Sequence, residues 1–331
     1  MAIFNSNDKI ISPAQDFVFK AIMMRADAKP ALNDLISAVI KRTVINTQLR
    51  NNELPAGGKD EKNERFDVSC EINDGSLVEV EIQKSKTGIV NNERIELINR
   101  CIYYLTDLHS SQKAKSNKYE DLVRTYQITF CNYEIFDKTD YLTEASMRTE
   151  DGSQISDQIN ISIIELNKLK KIIIKPIENM TPLDMWSIFI KYADHKRKRD
   201  LINKLMETRE AINVAGTILT ELSNDEDFKA KLRAQRKFEN DYNNDVAKAE
   251  ERGIKKSERK WQAIVEKKDA KHAIEITAKD REIASKDTQH AAELENKDRE
   301  IANKDTQHAA ELENKDREIA ELRRLLEESK Q

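Results

Sequence analysis

ERFDVSCEINDGSLVEVEIQK, residues Glu64 to Lys84, alternates polar and apolar side chains on both sides of Asn73-Asp74-Gly75. Period-two alternation is the signature of half-buried strands, and the Asp-Gly at the centre is a hairpin turn signal. A three-residue loop with Gly75 in the left-handed conformation would pair Ile72 with Ser76, Cys70 with Val78, Val68 with Val80 and Asp67 with Glu81. Val68, Cys70, Ile72, Val78, Val80 and Ile82 then share an apolar face. Asp67, Ser69, Glu71, Glu79, Glu81 and Gln83 share the other. A two-residue turn would oppose Asp67 to Ile82 and mix the faces, so the register favours the odd loop.

That register sets carboxylates against one another. Directly opposed strand side chains have Cβ atoms about 4.5–5.5 Å apart, where like charges destabilise the pair. Oxygen-rich clusters of this kind suit Mg²⁺, Mn²⁺ or Ca²⁺, and Mg²⁺ takes one or two carboxylates with water and substrate phosphate. Asp67 and Glu81 are the candidate ligands. Glu79 is either a second ligand or an acid at the rim, and the plain alternative is an exposed hairpin whose acids face water.

Outward from the hairpin, Ser12-Pro13 opens a first helix carrying Phe17, Ile22 and Met23, and Leu32–Ile40 forms a second after Pro30. Thr43–Leu49 reads as a strand and residues 51–63, with Pro55, Gly57 and Gly58, as a loop. Ile95, Ile98, Cys101, Ile102, Leu105 and Leu108 recur at helical spacing and predict a helix over 91–111 that covers one face of the sheet. Thr125–Cys131 is a buried strand, with further strands expected at Ile159–Glu165 and Ile172–Ile174. The order is helix, three strands, helix, strand. Beyond Pro182 no proline occurs, and helices are expected around Trp186 and Ile190, over Leu201–Leu205 and over Ala211–Leu222.

The chain has 331 residues, a net charge of −4 and 35% charged residues. It therefore exerts no global attraction on nucleic acid, and any DNA contact must come from local patches. Cys70, Cys101 and Cys131 have neither zinc spacing nor an even count, which fits a reducing cytoplasm. No apolar run reaches the length of a membrane span.

The excess polarity lies at the C-terminal end. Lys-Asp recurs at 268, 279, 286, 297, 304 and 315, so units of eleven and seven residues alternate with a combined period of eighteen. Eighteen residues in five turns is 3.6 per turn, a nearly straight helix carrying Ile283, Leu294, Ile301, Leu312 and Ile319 as a thin stripe. Asp287, His290, Asp305 and His308 stand where a strong coiled coil would place leucine or isoleucine. Glu282–Lys286, Glu293–Lys297, Glu300–Lys304 and Glu311–Lys315 are i,i+4 pairs in the favourable order. A homo-oligomer through this helix and a solvated single helix are the two readings.

Asp67, thirteen residues, then Glu81-x-Gln83 is a weak pattern alone, but within this element order it resembles the PD-(D/E)xK nuclease family transposases. Ser12-Pro13, Asp16–Lys20, Arg65–Val68, Glu81–Gln83, Arg94, Arg100 and Tyr104, Tyr119–Phe136, Ile163–Leu169, Trp186 and Ala247–Gly253 carry the resemblance, over roughly residues 10 to 255. It implies an α/β nuclease core at 1–180 and a helical extension at 181–253, while the repetitive helix or coiled coil at 254–331, read from its own period, lies outside the resemblance. It also implies a divalent-metal-dependent endodeoxyribonuclease acting on DNA, with Asp67 and Glu81 as metal ligands and Gln83 in the place of the usual lysine. An amide cannot carry that lysine's charge or accept a proton. Lys20 could supply charge and Asp16 an auxiliary ligand, unless the two form an ordinary surface pair. Arg94 and Arg100 would contact phosphate or pair with the acids of the sheet. Lys196, Arg197, Lys198 and Arg199, on a helix, would follow a DNA backbone or form a solvated face. The contrasting reading is a decayed nuclease acting as a DNA-binding or scaffolding protein.

Overall fold

The computed structural model describes residues 4–5, 7–50, 68–83, 90–114 and 118–328. It is a mixed α/β protein with a six-stranded sheet and a long C-terminal helix. Two units are distinguished, Met1–Glu239 and Asn240–Gln331.

The hairpin folds as its turn chemistry dictates. β2 (Val68–Ile72) and β3 (Leu77–Gln83) are antiparallel, with Val68 opposite Val80 and Cys70 opposite Val78. The Ile72 amide donates to the Ser76 carbonyl at 2.9 Å and Gly75 has φ +82°, the left-handed conformation that favours glycine. The expected opposition of Asp67 to Glu81 and the loop at 51–63 lie outside the described residues.

β4 (Thr125–Cys131) lies parallel to β3, and α3 (Val90–Ser110) makes the crossover that parallel neighbours require. β6 (Gln154–Glu165) is parallel to β4, and β5 (Leu142–Arg148) closes the edge antiparallel to it. With β1 (Thr47–Leu49) on the other edge, the strand order is β1-β2-β3-β4-β6-β5.

On one face, Val68, Cys70, Val78, Val80, Ile82, Ile128 and Phe130 pack into the main core with α1 (Asp16–Met23), α2 (Lys29–Ile40) and α4 (Pro182–Tyr192). α5 (Arg199–Thr208) and α6 (Glu210–Asn224) add Ile202, Leu205, Ile212 and Leu219 to that core. Trp186 is fully buried and its indole N–H donates to Asp34 at 2.8 Å. α4 begins with a capping box in which Thr181 and Asp184 satisfy each other's backbone amides. On the opposite face α3 lays down Leu97 and Cys101 against Cys131, Ile135 and Ile163. Burial pushes the Cys70 and Cys131 thiols up to about 12 and Cys101 to about 11, so all three are inert at neutral pH.

Four sequence expectations are corrected. Ile172–Ile174 is not a strand but a turn in which the Ile172 and Ile173 amides donate to the Leu169 carbonyl. The strand at Thr43–Leu49 shortens to Thr47–Leu49. There the Val44 and Ile45 amides bond instead to the Ser37 hydroxyl and the Asn73 side chain. The buried stripe of α3 is Leu97, Cys101, Leu105 and Leu108, whereas Ile95 and Ile102 face outward. Lys196–Lys198 forms one 3₁₀ turn ahead of α5 rather than a helical tract.

α7 runs from Glu226 to Glu328. Its first turns belong to the core, where Phe228 and Leu232 are buried and Phe228 stacks on Phe17 at 5.3 Å. Among the described residues no helix is long and apolar enough to cross a membrane.

Candidate functional site

β3 presents its odd-numbered residues to the face covered by α3, because successive strand side chains alternate. The ladder puts Ser69 beside Glu79 and Glu79 beside Gln127, while Glu81 lies beside Thr129. All five are at most 1% exposed. The reading of an exposed hairpin with acids in water is therefore overturned: a stripe of polar groups is enclosed between sheet and helix.

Glu81 is the centre of this stripe. Its Oε1 accepts an ion pair from Arg100 of α3 at 2.5 Å and a hydrogen bond from the Gln83 amide. Oε2 is buried and has no hydrogen-bond partner among the described residues. Burial raises the Glu81 carboxyl above the ordinary carboxylate range, and the proximity of Asp16 adds to that rise. Arg100 and Gln83 oppose it without cancelling it. Asp16, at the first turn of α1, contributes a second such atom, its Oδ1, which is also buried and unbonded among the described residues. Gln127 Oε1 is a third.

The sequence candidates thus separate. Glu81, Gln83, Asp16 and Arg100 come together. Lys20, one turn from Asp16, is only 4% exposed, so these two are not an exposed surface pair. Arg100 takes the second of its two expected roles, as partner to an acid of the sheet, and also lies over the Tyr104 ring at 5.2 Å. Arg94 is exposed and its guanidinium lies 5.3 Å from the centre of the Phe136 ring. Arg199 turns inward: it is 5% exposed, donates to the carbonyls of Ala193 and Asp8 and lies over Phe4. Lys196 and Arg197 remain exposed beside it. Asp67 lies outside the described residues.

Carboxylate oxygens of Glu81 and Asp16, buried without donors among the described residues, are what a hard cation would satisfy, and they belong to the ligand class of Mg²⁺, Mn²⁺ and Ca²⁺. Among the described residues no group of three or more acidic, histidine or cysteine ligands is assembled. Glu81 and Asp16 are a pair.

Residues 13–249 match the sequence model of the PD-(D/E)XK nuclease family transposases. The chain belongs to that family. No curated protein and no solved structure matches it significantly. The six-stranded mixed sheet is consistent with a PD-(D/E)XK family, and β3 carries Glu81 and Gln83.

Proposed function

We propose that this protein is a divalent-metal-dependent DNA endonuclease, with Asp67 and Glu81 as metal ligands, Asp16 as auxiliary ligand and Gln83 as a positioning residue. The observation that carries the reading is the Glu81 carboxylate: one oxygen is held by two donors, and the other is buried with no donor among the described residues. Leaving such an oxygen unsatisfied costs on the order of 1–3 kcal/mol, more for a charge, so a structural role alone does not account for it. A bound Mg²⁺ or Mn²⁺ would supply a hydroxide at neutral pH and neutralise charge on the phosphate.

The chain's own residues set the rest. Arg100 and Gln83 lock the orientation of Glu81, leaving Oε2 to a cation. Gln83 cannot accept a proton, so it orients rather than acts as base. The positive charge that lysine would bring to its position is supplied from α3 by Arg100. Lys196 and Arg197, with Arg94, are the exposed cations assigned to the DNA backbone. By role, the chain divides at 180 and 253 into nuclease core, helical extension and repetitive arm. Family membership supports DNA as substrate and cleavage in recombination or transposition as its use.

A scaffolding protein with a decayed site is the second reading, favoured by the ion pair that already occupies one Glu81 oxygen. Supercoiled plasmid incubated with the full chain and Mg²⁺, Mn²⁺ or Ca²⁺ separates the two. Nicked or linear product that requires the metal and is lost in Asp67→Ala and Glu81→Ala is expected. Product unaffected by both substitutions would remove this site, and no product with any metal would favour the scaffold.

A further inference from the structure

The repetitive arm contains an arrangement that a single helix leaves unfinished. From Val265 the apolar residues step by eleven and seven: Val265, Ile276, Ile283, Leu294, Ile301, Leu312 and Ile319. All are helical and roughly half exposed, between 46% and 62%. At about 100° per residue, the two steps rotate the stripe by about 20° in opposite senses, so it runs straight along one face.

Each Lys-Asp dipeptide straddles that stripe. Relative to Ile283, Lys286 and Lys297 fall about 60° and 40° to one side, and Asp287 and Asp298 about 40° and 60° to the other. Immediately beside the stripe one flank carries lysine and the other aspartate throughout the repeat, with Glu282, Glu293, Glu300 and Glu311 further out on the lysine side. Two copies packed in parallel about a two-fold axis bring opposite flanks together, lysine facing aspartate. An antiparallel pair brings like flanks together, aspartate facing aspartate. Charge complementarity therefore selects a second copy of this chain in parallel, unshifted register.

That register places histidines against themselves. His272, His290 and His308 fill the eleven-residue gaps of the stripe, within about 20° of its centre. Each is preceded at i−3 by an aspartate, Asp269, Asp287 or Asp305, on the acidic flank. Within one chain each Asp-x-x-His is only a pair, and among the described residues no three-ligand group exists. Two copies in register supply two imidazoles and two carboxylates per layer. Four nitrogen and oxygen ligands of this kind suit a tetrahedral transition-metal ion such as Zn²⁺.

We infer that the arm is a parallel two-chain helix pair whose three Asp-x-x-His layers, at 269/272, 287/290 and 305/308, each bind a divalent transition-metal ion between the copies. The inference stands on residues 265–319 and is independent of the nuclease reading. Metal-stripped full chain would be followed by sedimentation velocity with and without ZnCl₂, with bound zinc counted by elemental analysis. Zinc should tighten self-association at least tenfold. The two-chain species should hold three more zinc ions than the same species of the His272→Gln, His290→Gln, His308→Gln variant. That variant should keep its helical circular dichroism and metal-free association while losing the zinc response. Unchanged association with zinc, or an equal response in the variant, overturns the metal layers. Leu294→Cys tests the alignment separately, since the native thiols are buried: disulfide-linked dimer under oxidation is expected, and its absence overturns the parallel register.

Discussion

Glu81 is held in a state of competing demands, and substitutions there should separate stability from activity. Its carboxyl is raised chiefly by burial, so the folded protein binds a proton that the unfolded chain has already released just above the ordinary glutamate range. Stability should therefore fall as pH rises through that window in metal-free protein. Glu81→Gln removes the titrating charge. Thermal unfolding of the metal-free variant should show a flatter pH profile from about pH 4.5 upward and a melting temperature no lower than wild type at neutral pH. Its cleavage rate should drop at least about a hundredfold, as losing a metal ligand worth several kcal/mol requires. Wild-type activity in Glu81→Gln would show that the carboxylate is structural. Gln83→Lys probes the neighbouring position: Arg100 already provides a cation against Oε1, so added lysine charge should change the rate by less than about tenfold, whereas Arg100→Gln should cost more. The reverse ranking would place the needed charge at position 83.

At the scale of elements, one turn is used twice. Asn73-Asp74-Gly75 and Glu150-Asp151-Gly152 are both three-residue loops followed by serine, with Gly75 at φ +82° and Gly152 at +87°. Asp74 accepts from the Ser76 amide at 3.0 Å and Asp151 from the Ser153 amide at 2.9 Å. A Cβ at position 75 would meet only Val123 at 3.6 Å and one at 152 nothing within 4 Å, so alanine costs backbone strain rather than packing. Gly75→Ala and Gly152→Ala should each lower stability by about 1–2 kcal/mol in denaturant unfolding. Gly75→Ala alone should also lower cleavage, because its hairpin positions Glu81. The first hairpin was legible because strict alternation flanks its turn. The second carries the same Asp-Gly signal, yet β5 is not legible, because Leu142–Arg148 has few large apolar or β-branched residues and is largely exposed. Burial of Lys20 and the Arg100–Glu81 ion pair depend on how α1 and α3 meet the sheet, and no local pattern encodes that. The inward turn of Arg199 is hidden within a run of like charges for the same reason.

For the whole molecule, the question is where the globular unit ends and the arm begins. α7 supplies Phe228 and Leu232 to the core, and Arg236 donates to Gln15, after which the described side chains as far as Leu326 are exposed. Beyond that point the helix is supported by i,i+4 pairs such as Glu282–Lys286 at 2.7 Å, Glu295–Arg299 at 2.7 Å and Glu313–Arg317 at 2.8 Å. Exposed pairs of this kind contribute about 0.3–0.5 kcal/mol each and add nothing to the core. A chain ending near Gly253 should therefore keep the melting temperature and the metal-dependent cleavage of the full protein while losing self-association and its zinc response. A chain ending at Asp225 should differ from it sharply. Loss of Phe228 and Leu232 removes two buried apolar side chains worth about 1.5–3 kcal/mol apiece, enough to lower the melting temperature by several degrees. Light scattering and thermal unfolding of the two truncations decide the matter. Undiminished association at 253 would assign oligomerisation to the globular unit, and cleavage lost at 253 would make the arm part of the nuclease, through pairing of two sites on the two DNA strands.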